Sequence, residues 1–352
     1  MKYGLPYMGS KNKLAERIVA LLPKGDCLVD LFCGGCAVTH AALLRKKWPH
    51  VHINDIDWRP VTLFQDALAG KYNDERRWIS REDFQRLKDT DPYVAIVWSF
   101  SNNMRNYLYS QDIEPLKRAI HYAMFYADYE PARELGHDLS FIDPIQDLQK
   151  RYLAVKHYFS RLGHFQQESF ERGGQGCASL DSQATVRTTA LGSPTADAQF
   201  KKKRTRSNAI PLATTNTATD CSTANVTARC PLRGGQNVPL LTSSVGDYQD
   251  VSIPDGAVIY CDIPYEDTQR YDKAARFDYE RFYQWCSRQT QPLFISSYQM
   301  PADRFRCIEE FTHRVTASQA YNNEVTERIF IPRHQTPPPR PVQLSLFGGN
   351  EE

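Results

Sequence analysis

Near the end of the chain, residues 257–265 read "AVIYCDIPY", an apolar run that stops at a carboxylate, a backbone carbonyl ahead of proline, and an aromatic ring. Those groups suit a flat base carrying an exocyclic amine. Asp262 offers a carboxylate to one amine N–H. Ile263 offers its backbone carbonyl to the other, held extended because Pro264 follows. Tyr265 supplies a face on which an extruded base can stack. Hydrogen bonds to both amine hydrogens favour a tetrahedral-like nitrogen whose lone pair is free to attack a methyl sulfonium, with the proton leaving afterwards. The plainer reading is a strand-ending turn, for which Asp-x-Pro is common.

A second group lies far upstream, in "LVDLFCGGCAVTH" (residues 28–40). Three chemistries compete for it. Cys33 and Cys36 have the spacing of a redox dithiol between a strand and a helix. They also have the spacing of half a zinc site, but the cysteines further along (177, 221, 230, 261, 286, 307) form no second pair of that kind, and no metal is implied. The third reading is a nucleotide-cofactor turn. Its glycines allow close backbone approach, and the helix that follows presents free N–H groups. An acid about twenty residues further on then takes ribose hydroxyls, and Asp55 in "VHINDID" stands there. A tight turn with buried cysteines is the bland alternative.

The elements that must carry these groups can be traced. "KLAERIVALL" (13–22) has helical spacing and stops at Pro23 and Gly25. "CLVDLF" (27–32) reads as a buried strand, "GGCAVTHAALLRKK" as a glycine turn into a helix, and "VHINDID" (51–57) as the next strand. This strand–turn–helix–strand unit begins a parallel α/β sheet. Residues 61–165 read as mainly helical. Residues 166–245 are rich in Thr, Ser, Ala, Gln and Gly, contain "KKKRTR" (201–206), and read as a poorly ordered insertion. Order resumes at about 246, with strands at 257–265, 292–299 and 326–332 and an amphipathic helix at 279–289. Residues 333–352 form a proline-rich spacer ending in a short apolar peptide, "QLSLF".

Bulk properties set limits. The chain has 352 residues, 41% of them hydrophobic and 12% aromatic, with a formal net charge of only +2. Any field attracting nucleic acid must therefore be local. No run approaches the roughly 18 apolar residues of a membrane span, and the N-terminus has no apolar signal core. Nine scattered cysteines without an export signal suggest reduced thiols in a cytoplasm.

Four motifs in order, "YMGSK" (7–11), "DLFCGGC" (30–36), the 60–246 region and "DIPY" (262–265), resemble the Dam-like, D12 class of DNA adenine-N6 methyltransferases. The resemblance covers most of 1–332 apart from the insertion. It implies a Rossmann-like α/β methyltransferase domain (1–60 and 246–332) with a helical target-recognition subdomain (61–165) inserted between the cofactor and catalytic motifs. It implies S-adenosylmethionine as cofactor, with Tyr7 and Lys11 at its methionine end, Asp30, Phe32 and Gly34 in its loop, Asp55 on the ribose, Ile56 on the adenine ring, and Asp247 or Tyr248 bordering that ring. Asp262, Ile263, Pro264 and Tyr265 are then catalytic, and the two thiols are bystanders. Two positions depart from the family pattern. Cys36 replaces the last glycine of Phe-x-Gly-x-Gly, where a Cβ would crowd the cofactor, and Ile263 replaces the first proline of Asp-Pro-Pro-Tyr.

Double-stranded DNA is the implied substrate. In "SFSNNMRNYLYS" (99–110), Asn102 and Asn103 are candidates to read adenine and Arg105 to meet guanine or phosphate. The "QLSLF" peptide is similar to those that bind the bacterial sliding clamp, with Gln343 as hydrogen-bonding residue and Leu344, Leu346 and Phe347 as anchors. Tethering there would raise local concentration on replicating DNA. With no restriction-nuclease motif, a solitary enzyme of a bacterium or phage, working in the cytoplasm at the nucleoid, fits the pattern. Cytosine N4 uses the same amine chemistry. A catalytically weak DNA-binding homologue and a thioredoxin-like oxidoreductase are the readings from other classes.

Overall fold

The computed structural model describes residues 3–162, 226–229, 239–265, 277–315 and 323–338. Among these residues eight strands form one mixed sheet: β1 (Cys27–Asp30), β2 (His50–Asp55), β3 (Val226–Arg229), β4 (Leu240–Val245), β5 (Ala257–Asp262), β6 (Leu293–Ser297), β7 (Phe305–Val315) and β8 (Asn323–Pro332). Their order across the sheet is β3-β4-β2-β1-β5-β6-β8-β7. The five central strands, β4 to β6, run parallel, while β3, β8 and β7 are antiparallel to their neighbours. The chain winds outward from β1 through β2 to β4, then returns to the other side of β1 as β5. The gap between β1 and β5 is thus the topological switch point, where ligands bind at the carboxyl ends of strands in sheets of this kind.

The sheet is buried on both faces, and side-chain alternation sorts its residues between two cores. Leu28, Val258 and Tyr260 point to a cluster shared with α1 (Ala15–Leu21), α2 (Ala37–Arg45), α3 (Trp58–Leu68), α4 (Arg81–Leu87) and α5 (Pro92–Val97). Cys27, Val29, Ile259 and Cys261 point the other way, to a cluster closed by Phe282 and Trp285 of α9 (Tyr279–Ser287). Three further helices, α6 (Glu114–Tyr126), α7 (Glu130–Glu134) and α8 (Leu148–Arg161), form a third cluster of their own around Met124, Leu139 and Phe159. Among the described residues no helix is long and apolar enough to cross a membrane.

Two boundaries differ from the sequence reading. The stretch 166–245, read as a poorly ordered insertion, contributes β3 and β4 to the sheet, so sheet-forming residues are found from Val226 rather than from 246. The strand "LLTSSV" looks polar because its neighbours are polar. Thr242 Oγ1 lies 2.6 Å from His50 Nε2 and 2.8 Å from His52 Nδ1, and Ser244 donates to Asn54 Oδ1 at 2.8 Å. The helical stretch 61–165 is also not one body. Helices α3 to α5 belong to the main core, and only α6 to α8 have a separate one. The rest of 163–238 and the "QLSLF" peptide with Gln343, Leu344, Leu346 and Phe347 lie outside the described residues.

Candidate active site

The carboxyl ends of β1, β2 and β5 carry Asp30, Asp55 and Asp262, and all three open onto the switch point. Alternation fixes their direction. Asp30 shares the parity of Leu28, and Asp262 that of Val258 and Tyr260, so both face the α1–α2 side of the sheet. Ile263, one residue further, falls on the opposite face and is buried in the second core. The Ile263 side chain therefore belongs to that core. Beside it, the Pro264 carbonyl accepts a bond from the Tyr279 hydroxyl at 2.9 Å.

Asp30 is 1% exposed. Its Oδ2 accepts a 2.6 Å bond from the Thr39 hydroxyl of α2, and its Oδ1 is buried with no hydrogen-bond partner among the described residues. Burial pushes its carboxyl up to about 7, with the charges of Asp262 and Asp55 adding to the rise against the Thr39 bond. Asp55 is braced by backbone: Oδ2 accepts from Gly34 N–H at 2.8 Å and Oδ1 from Asp57 N–H at 2.9 Å. Burial raises it to about 6 despite those bonds. Asp57 in turn caps α3 through Arg59 N–H. Next to Asp55, Ile56 is 77% exposed, an apolar side chain standing in the open at the mouth of the site.

The glycine turn is tight for an internal reason. A Cβ on Gly35 would come within 2.6 Å of the Tyr7 Cβ, and one on Gly34, at φ +43°, within 3.2 Å of the Tyr7 ring. Tyr7 thus packs under the loop. Cys36 adopts φ 55°, the left-handed conformation that favours glycine. Its side chain is 0% exposed and lies in the main core, so the Cβ expected to crowd the cofactor turns into the protein. Burial raises both the Cys33 and Cys36 thiols, opposite to the depressed pKa of a redox thiolate. Phe32 sits among aromatic rings, 5.2 Å from Tyr248 and 5.7 Å from Phe277 between centroids. Asp247 is engaged with Gln249 N–H and with Arg281 of α9, 2.8 Å from its Oδ2.

Lys11, read from sequence as a contact for the cofactor, bridges two carboxylates. Its ammonium lies 2.7 Å from Asp262 Oδ1 and 3.0 Å from Glu327 Oε1, and sits over the Tyr265 ring at 4.9 Å. Burial lowers the Lys11 pKa and the two carboxylates raise it; the balance is upward, so the ammonium stays charged. Asp262 is raised to about 6, by burial and by Glu327, against the pull of Lys11. The Tyr265 hydroxyl donates to Glu327 Oε1, with Asp262 Oδ1 at 3.5 Å, and its ring lies 4.2 Å from that of Tyr298.

Glu327 is the residue that sequence reasoning missed. A signal existed: in "TERIFIP" it shares the parity of Ile329 and Ile331, both buried in the main core, so a charge stands where a strand demands an apolar side chain.

The asparagines proposed to read bases have local partners. Asn102 donates to the Ile96 carbonyl at 3.0 Å, and Asn103 Oδ1 accepts from the N–H groups of Arg105 and Asn106 at 2.9 and 3.1 Å. They shape a loop whose residues Ser101, Asn102 and Met104 all have positive φ, and on which Phe100 is 40% exposed.

Residues 7–132 match the family model of the D12 class N6 adenine-specific DNA methyltransferases. The match takes in Tyr7, Lys11, the glycine turn, Asp55 and the loop at 99–107, and ends well before Asp262. No curated protein matches the chain. The N-terminal part of the chain is thus similar to this methyltransferase class. The second half of the site joins it through the fold, since β5 pairs directly with β1.

Proposed function

We propose that this chain is an S-adenosylmethionine-dependent DNA methyltransferase acting on adenine N6 of a base extruded from the duplex. The observation that carries the reading is the convergence of Asp30, Asp55 and Asp262 at the switch point, where half the site comes from the D12-like segment and half from "DIPY". The residues fit the cofactor. The buried, partnerless Asp30 Oδ1 suits the cationic amino group of its methionine portion, Asp55 suits the ribose hydroxyls, and exposed Ile56 suits a covering ring. Bound there, the cofactor would supply an electrophilic methyl group, with the methyl–sulfur bond breaking to leave a neutral thioether.

The chain's own residues do the rest. Asp262 accepts one N–H of the target amine and the Ile263 carbonyl the other, while Tyr265 stacks on the base. As the N–C bond forms, the amine nitrogen becomes cationic and sheds a proton. Asp262, raised to about 6, takes that proton near neutral pH and then passes it to solvent. Lys11 holds Asp262 in place and offsets its charge before the amine arrives. The loop at 99–107 faces DNA through Phe100 and the Arg105 side chain, and the two asparagines keep that loop in shape. The tail peptide as a clamp ligand belongs to the same proposal.

The test is methyl transfer from labelled S-adenosylmethionine to unmethylated DNA, followed by nucleoside analysis, with wild type and Asp262→Ala in parallel. N6-methyladenine from wild type alone supports the reading, and N4-methylcytosine would keep the mechanism and change the base. A second reading has its own observation: Asp262 and Tyr265 are already engaged by Lys11 and Glu327. A homologue that binds cofactor and DNA without transferring methyl groups would show cofactor binding and no product.

A further inference from the structure

We propose that Glu327 is a positioning residue that keeps Asp262 available to the substrate by drawing the Tyr265 hydroxyl and part of the Lys11 charge onto itself. The inference rests on the reading of Asp262 to Tyr265 as the reacting residues.

Glu327 is 4% exposed and lies on β8 opposite Phe311 of β7. A buried carboxylate is costly unless paired, and a buried ion pair can usually be replaced by apolar side chains without loss of stability. Structure alone therefore does not call for a glutamate here. Its contacts suggest another reason. Asp262 and Glu327 share one ammonium, and both the Lys11 contact and the Tyr265 hydroxyl fall on the same Asp262 oxygen, Oδ1. The hydroxyl lies 3.5 Å from that oxygen, too long for a real bond, because it is bonded to Glu327 instead. Without Glu327, phenol and ammonium would both settle on Asp262 and occupy the acceptor that the target amine needs. Glu327 thus acts through its neighbours, at a distance from the base.

Charge coupling makes the role measurable. The titratable groups facing Asp262 are Lys11 from the segment before α1, Asp30 from β1, Tyr260 and Tyr265 from β5 and its end, Tyr298 after β6, and Glu327 from β8. The three tyrosines, raised by burial, stay neutral near pH 7. Glu327→Gln keeps an acceptor for the phenol, removes one like charge, and leaves Lys11 to Asp262 alone. Both changes favour the Asp262 carboxylate, so its titration moves to lower pH by roughly one pH unit. Glu327→Leu removes the acceptor as well.

The experiment uses the full chain with both variants. Methyl-transfer rates are measured from pH 5 to 9, and in parallel the Asp262 carboxyl is titrated by carbon-13 NMR, assigned with Asp262→Asn. Expected are an acidic limb and an NMR titration shifted to lower pH in Glu327→Gln, with kcat at its optimum lowered severalfold because Lys11 then rests on Asp262 alone. In Glu327→Leu, kcat falls on the order of a hundredfold with little change in KM for the cofactor. An unchanged Asp262 titration in Glu327→Gln overturns the inference, as does a Glu327→Leu enzyme with wild-type kcat. If wild type transfers no methyl group, the reaction reading fails, and the NMR titration still decides whether Glu327 is coupled to Asp262. Glu327→Gln is nearly isosteric, so a folding failure of the leucine variant leaves the test standing.

Discussion

Cofactor binding should release a proton, and Asp30 sets the size of the effect. Burial raises its carboxyl from the usual 3.8 to about 7 in the free protein, about 4 kcal/mol of preference for the neutral form. The folded protein therefore holds one more proton than the unfolded chain between about pH 4 and 7. Its stability falls as pH rises through that window and levels off above 7. A cationic amino group at Oδ1 reverses the preference, because it binds the carboxylate and not the acid. Asp30 is about one-tenth ionised at pH 6 and about nine-tenths at pH 8, so affinity should rise about tenfold between them, or about 1.4 kcal/mol. Asp55, raised to about 6, adds about a factor of two over the same range. Calorimetry of S-adenosylmethionine or its product at pH 6, 7 and 8, in buffers of differing ionisation enthalpy, reads both affinity and proton release. Release should be close to one and a half protons at pH 6, about 0.9 from Asp30 and about 0.5 from Asp55, and small at pH 8. Asp30→Asn should bind weakly with a much flatter pH dependence. Affinity that is constant or falls from pH 6 to 8 in wild type would refute the placement of a cation at Asp30.

Other outcomes follow from the same geometry. Asp262→Ala should lower methyl transfer about a thousandfold while leaving cofactor affinity within about twofold, measured by transfer assay and calorimetry. Lys11→Met leaves Asp262 and Glu327 facing each other without a cation and should cost about 3–5 kcal/mol at pH 8 by denaturant unfolding. The loss should shrink toward pH 5, because Asp262, already raised by burial, rises further without the ammonium and its protonation relieves the repulsion. Ser101→Gly should raise stability by about 0.5–1 kcal/mol in thermal unfolding, since Ser101 is held at φ 54° where glycine is unstrained. Gly4→Ala should disrupt the cofactor loop, because its Cβ would fall 2.2 Å from the Gly35 carbonyl oxygen at a φ of +68°. Loss of cofactor binding in a chain that keeps its far-ultraviolet spectrum would show it.

Legibility in the sequence followed side-chain polarity. The unit from β1 through α2 to β2 could be read because its strands are apolar and its turn is marked by glycines. β5 could be read because "AVIYC" is buried on both faces. β4 could not: its Thr and Ser residues are matched by the histidines and Asn54 of β2, a pairing invisible along one strand. β7 is an edge strand laden with charge, "FRCIEEFTHRV", and gives no clean apolar run. In the site, Asp30, Asp55, Asp262 and Tyr265 could be named from motif and spacing. Glu327 could not, because its importance comes from β8 crossing back beside β6 and bringing a distant carboxylate to Lys11. Nor could the local duties of Asn102 and Asn103, which depend on a turn with positive φ.

The placement of β1 at the centre has a consequence for how the molecule comes into being. β1 and β2 leave the ribosome early, but the partners on their outer sides, β5 and β4, follow only after the whole helical stretch and residues 163–238. During synthesis this pair therefore has two bare, apolar edges, a state open to wrong pairing until residues 240–262 arrive. Such long-range closure is slow, because loop entropy must be spent before the contacts form. The same closure joins Asp30 to Asp262. A chain cut short before β5 would retain most of the residues proposed to hold the cofactor, yet their central strand would lack one neighbour, and such a fragment would behave as a folding intermediate rather than as a small binding domain.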